Sequence, residues 1–521
     1  MPTAEIARVL PTLLDRLRAH AVESSDVSAV IDGDTVLDYP ELLDRARRVA
    51  GALIGAGVVV GAGDRVLYLG VDSHRVYELL YGCALTESVL VPVNWRLSDP
   101  EVADIAGRCG AQVIIADDPE RMLASPARII PTADFDAWRD AAESPAATAE
   151  PTPDTPIVQM YTSGTTGRPK GVVLAHRTFT AVRDLMDAAG VDWIDWHPGD
   201  RSLAGMSAFH IGGMWWAAQA LNAGVTSVVV PVFGPAAALA AIRDHGITTT
   251  CMAPAMIRAI LDEADTPPDA DIGTGTGDFA TLRKVVYGGS PIDAGLLQRA
   301  IEIMDCDFAQ IYGLTETGNT AVCLPPDAHR GERPALHATG RPYPGVRVQI
   351  RRSDGVPLPD GETGEVYLAT PAHMVGYHED AAATADRLAD GWIRTGDAGY
   401  VDADGYLVIH DRVDDMILVG AENVYPAEVE KVINAHPGVW DCAVIGVPDD
   451  IWGESVLAYV VPRTSGLQPG DVARFLRGRL AAFKSPMRYR LVTEIPRNVS
   501  GKVLRRELRD TYAAGRGGAI R

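Results

Sequence analysis

Tyr161-Thr162-Ser163-Gly164-Thr165-Thr166-Gly167-Arg168-Pro169-Lys170-Gly171 stands between two strand-like apolar runs, Ile157 to Met160 and Val172 to Leu174. Its three glycines let the backbone fold so that successive N–H groups converge, and four hydroxyls with one lysine add donors for anionic oxygens. A loop of this kind is suited to holding phosphate. It is not the loop of the P-loop nucleotide hydrolases, because only two residues separate Gly164 from Gly167 and no Gly-Lys-Ser/Thr follows.

Working outward, apolar runs such as Arg65 to Leu69, Val113 to Ala116 and Ser227 to Pro231 alternate with helix-period stretches such as Tyr39 to Leu53. Buried strands covered by helices make an α/β fold, and the short continuous apolar strands point to parallel pairing in part of the sheet. A chain of 521 residues exceeds what one hydrophobic core sustains, so at least two domains are expected. After about Asp411 the pattern becomes compact α+β. Pro426 suits the first turn of a helix through Val429, Val432 and Ile433, strands follow at Cys442 to Val447 and Val456 to Val461, and Val472, Phe475, Leu476 and Leu480 recur at helical spacing. The boundary is placed near Arg412 to Asp415. Glu143 to Pro156, Asp265 to Asp278 and the tail after Ala513 read as loops, and no internal repeat is present.

Acidic residues outnumber basic ones, 69 to 47, for a formal charge of −22. That field repels nucleic acid and anionic lipid, so a phosphate-bearing cofactor is held only where local N–H groups and cations overcome it. The six cysteines are scattered, without a C-x-x-C pair, and read as buried thiols of a reducing compartment. The N-terminal stretch carries Glu5 and Arg8 instead of an uninterrupted apolar segment, and the most apolar run, Val49 to Gly63, is too short and too rich in glycine to span a bilayer. No stable membrane insertion and a cytoplasmic location are expected.

The loop at 161–171 resembles the signature of the adenylate-forming (AMP-binding) superfamily, which contains acyl-CoA synthetases, peptide-synthetase adenylation domains and luciferases. Further segments resemble that family in the family's order. Tyr287-Gly288-Gly289-Ser290-Pro291 and Gln310-Ile311-Tyr312-Gly313-Leu314-Thr315-Glu316-Thr317-Gly318 look like its adenine-binding elements. Glycines let a planar base approach the backbone and Tyr312 offers a ring to lie against it, while Glu316 is a hard oxygen ligand suited to Mg²⁺. Arg394-Thr395-Gly396-Asp397 resembles the ribose motif, with Asp397 accepting both hydroxyls, whereas Asp402, Asp404 and Gly405 read as a hairpin turn without chemistry. Arg412-Val413-Asp414-Asp415 resembles the interdomain hinge, with Arg412 near the ribose and Asp414 at the pivot. Pro496 to Arg506 resembles the last motif, whose lysine, here Lys502, bridges the carboxylate and the α-phosphate.

The resemblance therefore implies a large doubly wound N-terminal domain, residues 1–412, and a small mobile C-terminal domain, residues 413–521, hinged at Asp414. It implies a nucleotide site of Thr162, Ser163, Gly164, Thr165, Thr166, Lys170, Gly288, Gly289, Ser290, Gln310, Ile311, Tyr312, Gly313, Asp397 and Arg412. The catalytic set it implies is Lys502, His210, Glu316 and Thr315, with Glu316 on the metal.

Met206-Ser207-Ala208-Phe209-His210-Ile211-Gly212-Gly213 resembles the acyl-pocket motif, with Ser207 in place of a common proline. A histidine in an apolar stretch is ordinarily a core residue, but the motif makes His210 a guide for the carboxylate, beside Phe209, Gly213, Met214 and Trp215. Met214, Trp215 and Trp216 either wall this pocket short or flank a tunnel. Gly420-Ala421-Glu422, with alanine where most relatives carry glycine, would line the path of a pantetheine arm. Trp452 and Phe483 are either core residues or flank the nucleotide of coenzyme A. The activity implied is an ATP- and Mg²⁺-dependent acid–CoA ligase acting through an acyl-adenylate. Family frequency suggests a medium- or long-chain fatty acid, with an aryl or other hydrophobic acid next. A carrier thiol or other acceptor, or a non-catalytic nucleotide-binding role, are the alternatives, and a homodimer is compatible with all of them.

Overall fold

The computed structural model describes residues 11–122, 125–162, 169–191, 193–265, 276–330, 334–419, 422–449, 451–463, 465–497 and 501–516. Nine strands form one sheet in the order Arg341–Pro342, Val322–Leu324, Asp307–Tyr312, Lys284–Gly288, Thr249–Met252, Arg201–Ala204, Thr226–Val229, Ser28–Asp32 and Thr35–Asp38. The six strands from Asp307–Tyr312 to Ser28–Asp32 run parallel, and antiparallel strands close both edges. A second sheet orders Gly376–Tyr377, Lys170–Ala175, Pro156–Thr162, Val89–Pro92, Arg65–Leu69, Ala111–Ala116 and Arg128–Pro131, and is parallel from Pro156–Thr162 onward. The expected parallel pairing is present in both. Its strands are buried along their length, Thr226–Val229 and Val89–Pro92 for example, because helices cover them.

Local chemistry fixes the helix starts. Asp38 caps helix Tyr39–Gly55 by accepting the Glu41 N–H at 2.7 Å, and Pro40 occupies the first turn, where a missing N–H costs nothing. A third, five-stranded antiparallel sheet contains Gly364–Ala369, Trp392–Val401 and Leu407–Arg412. The chain then makes a single turn, Val413–Asp415, and enters a separate α+β unit. There strands Val439–Asp449 and Gly453–Pro462 are covered by helices Pro426–Asn434, Pro469–Leu476 and Arg505–Arg516 around a core of its own that includes Ile417, Val429, Val444 and Val472. The architecture is a large N-terminal α/β domain followed by a small C-terminal one.

Two readings of the C-terminal unit differ from the structure. Leu480 lies outside its helix, which stops at Leu476 before Gly478 turns the chain with φ at +75°. The final helix runs to Arg516 rather than ending at Ala513, since Leu508 and Tyr512, four residues apart, both bury against the sheet at Tyr459. All six cysteines are free and buried. No described helix is long and apolar enough to cross a membrane.

Helix Ile211–Asn222 leans on the loop that precedes it so closely that a Cβ on Gly213 would come within 2.3 Å of the carbonyl oxygens of Met206 and Ser207. Gly213→Ala is therefore expected to force the helix off this loop at a cost of about 1–3 kcal/mol. The check is a lowered midpoint in denaturant unfolding.

Candidate active site

Strand Asp307–Tyr312 of the nine-stranded sheet delivers Tyr312, at its end, to the third sheet. Its hydroxyl donates to Asp397 Oδ2 at 2.5 Å, and Arg412 Nε lies 3.0 Å from the other carboxylate oxygen. Asp397 and Arg412 face each other directly in the antiparallel register.

 
The bulge that follows at Ala398 and Gly399 leaves that pairing intact. Asp397 is only 6% exposed, so these two partners are what keep its charge affordable in the interior. Arg412 also donates to the Thr395 carbonyl at 2.8 Å, which fixes the guanidinium plane. Burial, with Asp397 alongside, pushes the Tyr312 phenol well above its ordinary value, so it stays a donor.

Lys502 arrives at this spot from the small domain. It sits within electrostatic reach of Arg412, Asp397 and Asp415, and its amine is held below the usual lysine range, first by burial and then by the Arg412 charge. The neighbouring Gly501 abuts helix Pro254–Ala264, where its Cβ position lies 3.2 Å from Ala255. Small and large domains thus meet over the same pocket.

Glu316, in the turn Thr315–Thr317 that also holds Thr315, is 6% exposed. Its Oε1 accepts from the Tyr377 hydroxyl at 2.7 Å and lies 3.8 Å from Arg387 Nε. Tyr377 is brought there by pairing of Gly376–Tyr377 with Lys170–Ala175, and the Lys170 ammonium stands 5.1 Å from its ring centre. Thr162 pairs with Lys170 across the hairpin, while Ser163, Gly164, Thr165 and Thr166 lie outside the described residues. Among the described residues no three acidic, histidine or cysteine side chains cluster as a metal cage. One hard carboxylate, Glu316, fits Mg²⁺ of the kind that takes its remaining oxygens from phosphate and water.

The glycines behave as close-approach residues. A Cβ on Gly288 would fall 2.5 Å from the Ile311 carbonyl oxygen, one on Gly313 would fall 2.4 Å from that of Asn319, and Gly289 has φ at +83°. Gln310 accepts from Tyr287 at 3.2 Å, and Ser290 follows at the end of the same segment.

On the acid side, His210 precedes helix Ile211–Asn222 and lies against Phe209, ring centres 4.6 Å apart. Burial lowers its pKa to about 4, helped by Arg96, so the ring is neutral near pH 7. The loop bearing it hangs from Asp72, whose carboxylate accepts the Ala208 N–H at 3.0 Å and also the Ser207 hydroxyl. Burial pushes Asp72 up to about 7. Met214 and Trp215 are fully buried in the helix behind His210.

Of the segment expected to meet a pantetheine arm, Glu422 is exposed and Gly420 and Ala421 lie outside the described residues, as does the side chain of Asp414. Trp452 and Phe483 are 49% and 37% exposed, so neither is core. Asp402 accepts the N–H groups of Asp404 and Tyr406 at 3.0 and 2.9 Å, the hairpin turn expected of it. Sequence reasoning missed Tyr377, Arg387 and Asp72. The first two carry no motif: Tyr377 reaches the site through sheet pairing and Arg387 from the end of helix Ala381–Arg387; Asp72 gave one signal, a carboxylate just past the end of strand Arg65–Leu69.

Comparison with known proteins identifies the family. Residues 17–378 match the model of the AMP-binding enzyme family, and residues 428–502 match that of the AMP-binding enzyme C-terminal domain. The chain is 50% identical to the fatty acid–[acyl-carrier-protein] ligase ScoC of Streptomyces coeruleorubidus, over 96% of this chain and 97% of that protein. It is 36% identical to a feruloyl-CoA synthase of Amycolatopsis, over 96% and 98% of the two chains. Among solved structures it resembles o-succinylbenzoate coenzyme A synthetase of Bacillus subtilis in complex with ATP and magnesium ion, at 28% identity, a TM-score of 0.82, and 95% and 98% coverage. This chain belongs to the AMP-binding enzyme family and is a ligase of the adenylate-forming fold.

Proposed function

We propose that this enzyme joins a fatty acid to the thiol of coenzyme A through an acyl-adenylate, and that the residues gathered around Asp397 carry the first step. The observation that supports this most is the meeting of Lys502, from the end of the chain, with Asp397 and Arg412, beside the Glu316 and Lys170 cluster. A carboxylate is a poor electrophile because its leaving group would be oxide. Adenylation solves this: a carboxylate oxygen attacks the α-phosphorus of ATP, the bond to the bridging oxygen breaks, and pyrophosphate departs.

Asp397 accepts the ribose hydroxyls, Tyr312 and the Gly288 to Ser290 segment hold the base, and the Thr162 to Thr166 loop with Lys170 and Arg387 receives the phosphates. Lys502 offsets charge between the carboxylate and the α-phosphate. Mg²⁺ held by Glu316 would neutralise phosphate oxygens during this transfer. The thiol sulfur then attacks the acyl carbon and AMP leaves with the electron pair of the broken C–O bond. Since Lys502 occupies one side of the site, the thiol gains access by rotation of residues 413–521 about Asp414. Glu422, with Gly420 and Ala421, would line the pantetheine path, and the exposed faces of Trp452 and Phe483 are free to flank the CoA nucleotide.

A second reading keeps the chemistry and changes the carrier of the thiol. The 50% identity to a fatty acid–[acyl-carrier-protein] ligase favours a holo carrier protein, which presents the same phosphopantetheine arm. Mass spectrometry after incubation with acid, ATP and either CoA or a holo carrier protein separates the two. Acyl-CoA as the faster product supports the first; acyl-carrier forming with CoA left unacylated establishes the second.

Lys502→Ala is expected to slow acid-dependent pyrophosphate exchange by about 10²–10³-fold, the loss that follows removal of one transition-state charge partner. Thioester formation from supplied acyl-adenylate should change far less; equal loss in both steps would refute the assignment. Because the Lys502 amine works as a cation and its pKa is lowered, exchange should fall on the alkaline side earlier than an ordinary lysine allows. A pH–rate profile of Lys502→Arg should lose that alkaline limb.

A further inference from the structure

Helix Ile211–Asn222 turns Met214, Trp215 and Trp216 inward, where they are 0%, 4% and 1% exposed. Trp216 packs on Trp196 with ring centres 5.2 Å apart and lies 6.0 Å from Trp215. Across from them Trp193 stacks on Tyr343 at 6.0 Å, and Thr320 donates to the Tyr343 hydroxyl at 2.9 Å. Between this aromatic wall and helix His176–Ala188 remains a cavity of about 10 Å³, bounded among others by Phe179, Met186, Trp215, Gly318, Thr320 and Tyr343. That is room for one water molecule.

The position of this cavity matters. Trp215 follows His210 by five residues on the helix that begins at the carboxylate guide, and Gly318 and Thr320 follow Glu316 by two and four. The cavity is thus bounded by the helix that follows the carboxylate guide and by the segment that follows Glu316. Interiors packed to this density yield only by moving side chains off their rotamers. A buried indole beside a second indole has little freedom to do so.

We infer that an alkyl chain directed away from the reacting carboxylate meets this cavity and that Trp215 closes the acid pocket there, so that the substrate is a short-chain acid rather than a medium- or long-chain one. This rests on the adenylation reading above. It selects one end of the fatty-acid class and names the residue that sets the limit.

The test is acid-dependent pyrophosphate release by the full-length enzyme over straight-chain acids from two to about sixteen carbons, for wild type, Trp215→Ala and Trp215→Phe. Wild type should peak at four to about six carbons and lose about a thousandfold or more in kcat/KM by ten, since each methylene without room in a pocket costs about tenfold. Trp215→Ala should move the optimum to longer acids, and Trp215→Phe should move it less. Met186→Ala enlarges the same cavity from the opposite helix and serves where Trp215→Ala does not fold. A wild-type optimum at ten carbons or longer, or a folded variant of either position whose profile superimposes on wild type, overturns the inference while leaving adenylation standing. Silence with every acid overturns the adenylation reading itself, and this inference with it.

Discussion

A carboxylate that is 94% removed from water has to be compensated on the spot, and Asp397 is compensated by groups from separate parts of the fold.

 Tyr312 comes from the end of an inner strand of the nine-stranded sheet, Arg412 from the last strand before the small domain, and Lys502 from beyond it. Satisfying one buried charge thus ties together the nine-stranded sheet, the antiparallel sheet and the small domain. The same charge is the natural acceptor for a pair of sugar hydroxyls, so the constraint that organises the packing also defines the nucleotide end of the site.

The remaining electrostatics solve a second problem. The chain carries a formal charge of −22, yet a phosphate-rich substrate has to enter it. Lys170, Arg387, Arg412 and Lys502 converge on a region whose nearby carboxylates, Glu316 and Asp397, are both buried and hydrogen-bonded to tyrosines. Tyrosine donors hold these carboxylates without adding charge, so the cations keep most of their field for the incoming phosphates. In a site sheltered from water that local field outweighs the distant surface acids, which solvent and salt screen.

How much of this was legible in the sequence depended on how the information was stored. Contiguous strings were readable: the Gly-rich loop, the Tyr312 to Glu316 run, Asp397 and Lys502 are each specified by neighbours within a few residues. The alternation of apolar runs was enough for a two-domain α/β architecture, because buried parallel strands need nearly every position apolar. Tyr377 and Arg387 were not readable. Tyr377 owes its place to strand pairing across about two hundred residues and Arg387 to the end of the short helix that follows, and a tyrosine in a short strand looks like any core aromatic. Trp215 and Trp216 were noticed but left undecided between wall and tunnel, since a helix periodicity tells which face is buried and not how much room is left beside it. The fate of Trp452 and Phe483 turned likewise on exposure, which one sequence does not record.

The burial of all six cysteines acquires a meaning from the chemistry. An acyl-adenylate is an indiscriminate acylating agent, and the acceptor it is meant for is a thiol. Burial pushes Cys83, Cys251 and Cys306 up to about 12 and Cys109 to about 11, and raises Cys323 and Cys442 as well. At physiological pH each is a neutral, sequestered thiol and not a thiolate nucleophile. None of the enzyme's own cysteines thus competes for the activated intermediate: self-acylation at sulfur is suppressed and the acyl group waits for the thiol that is delivered to it.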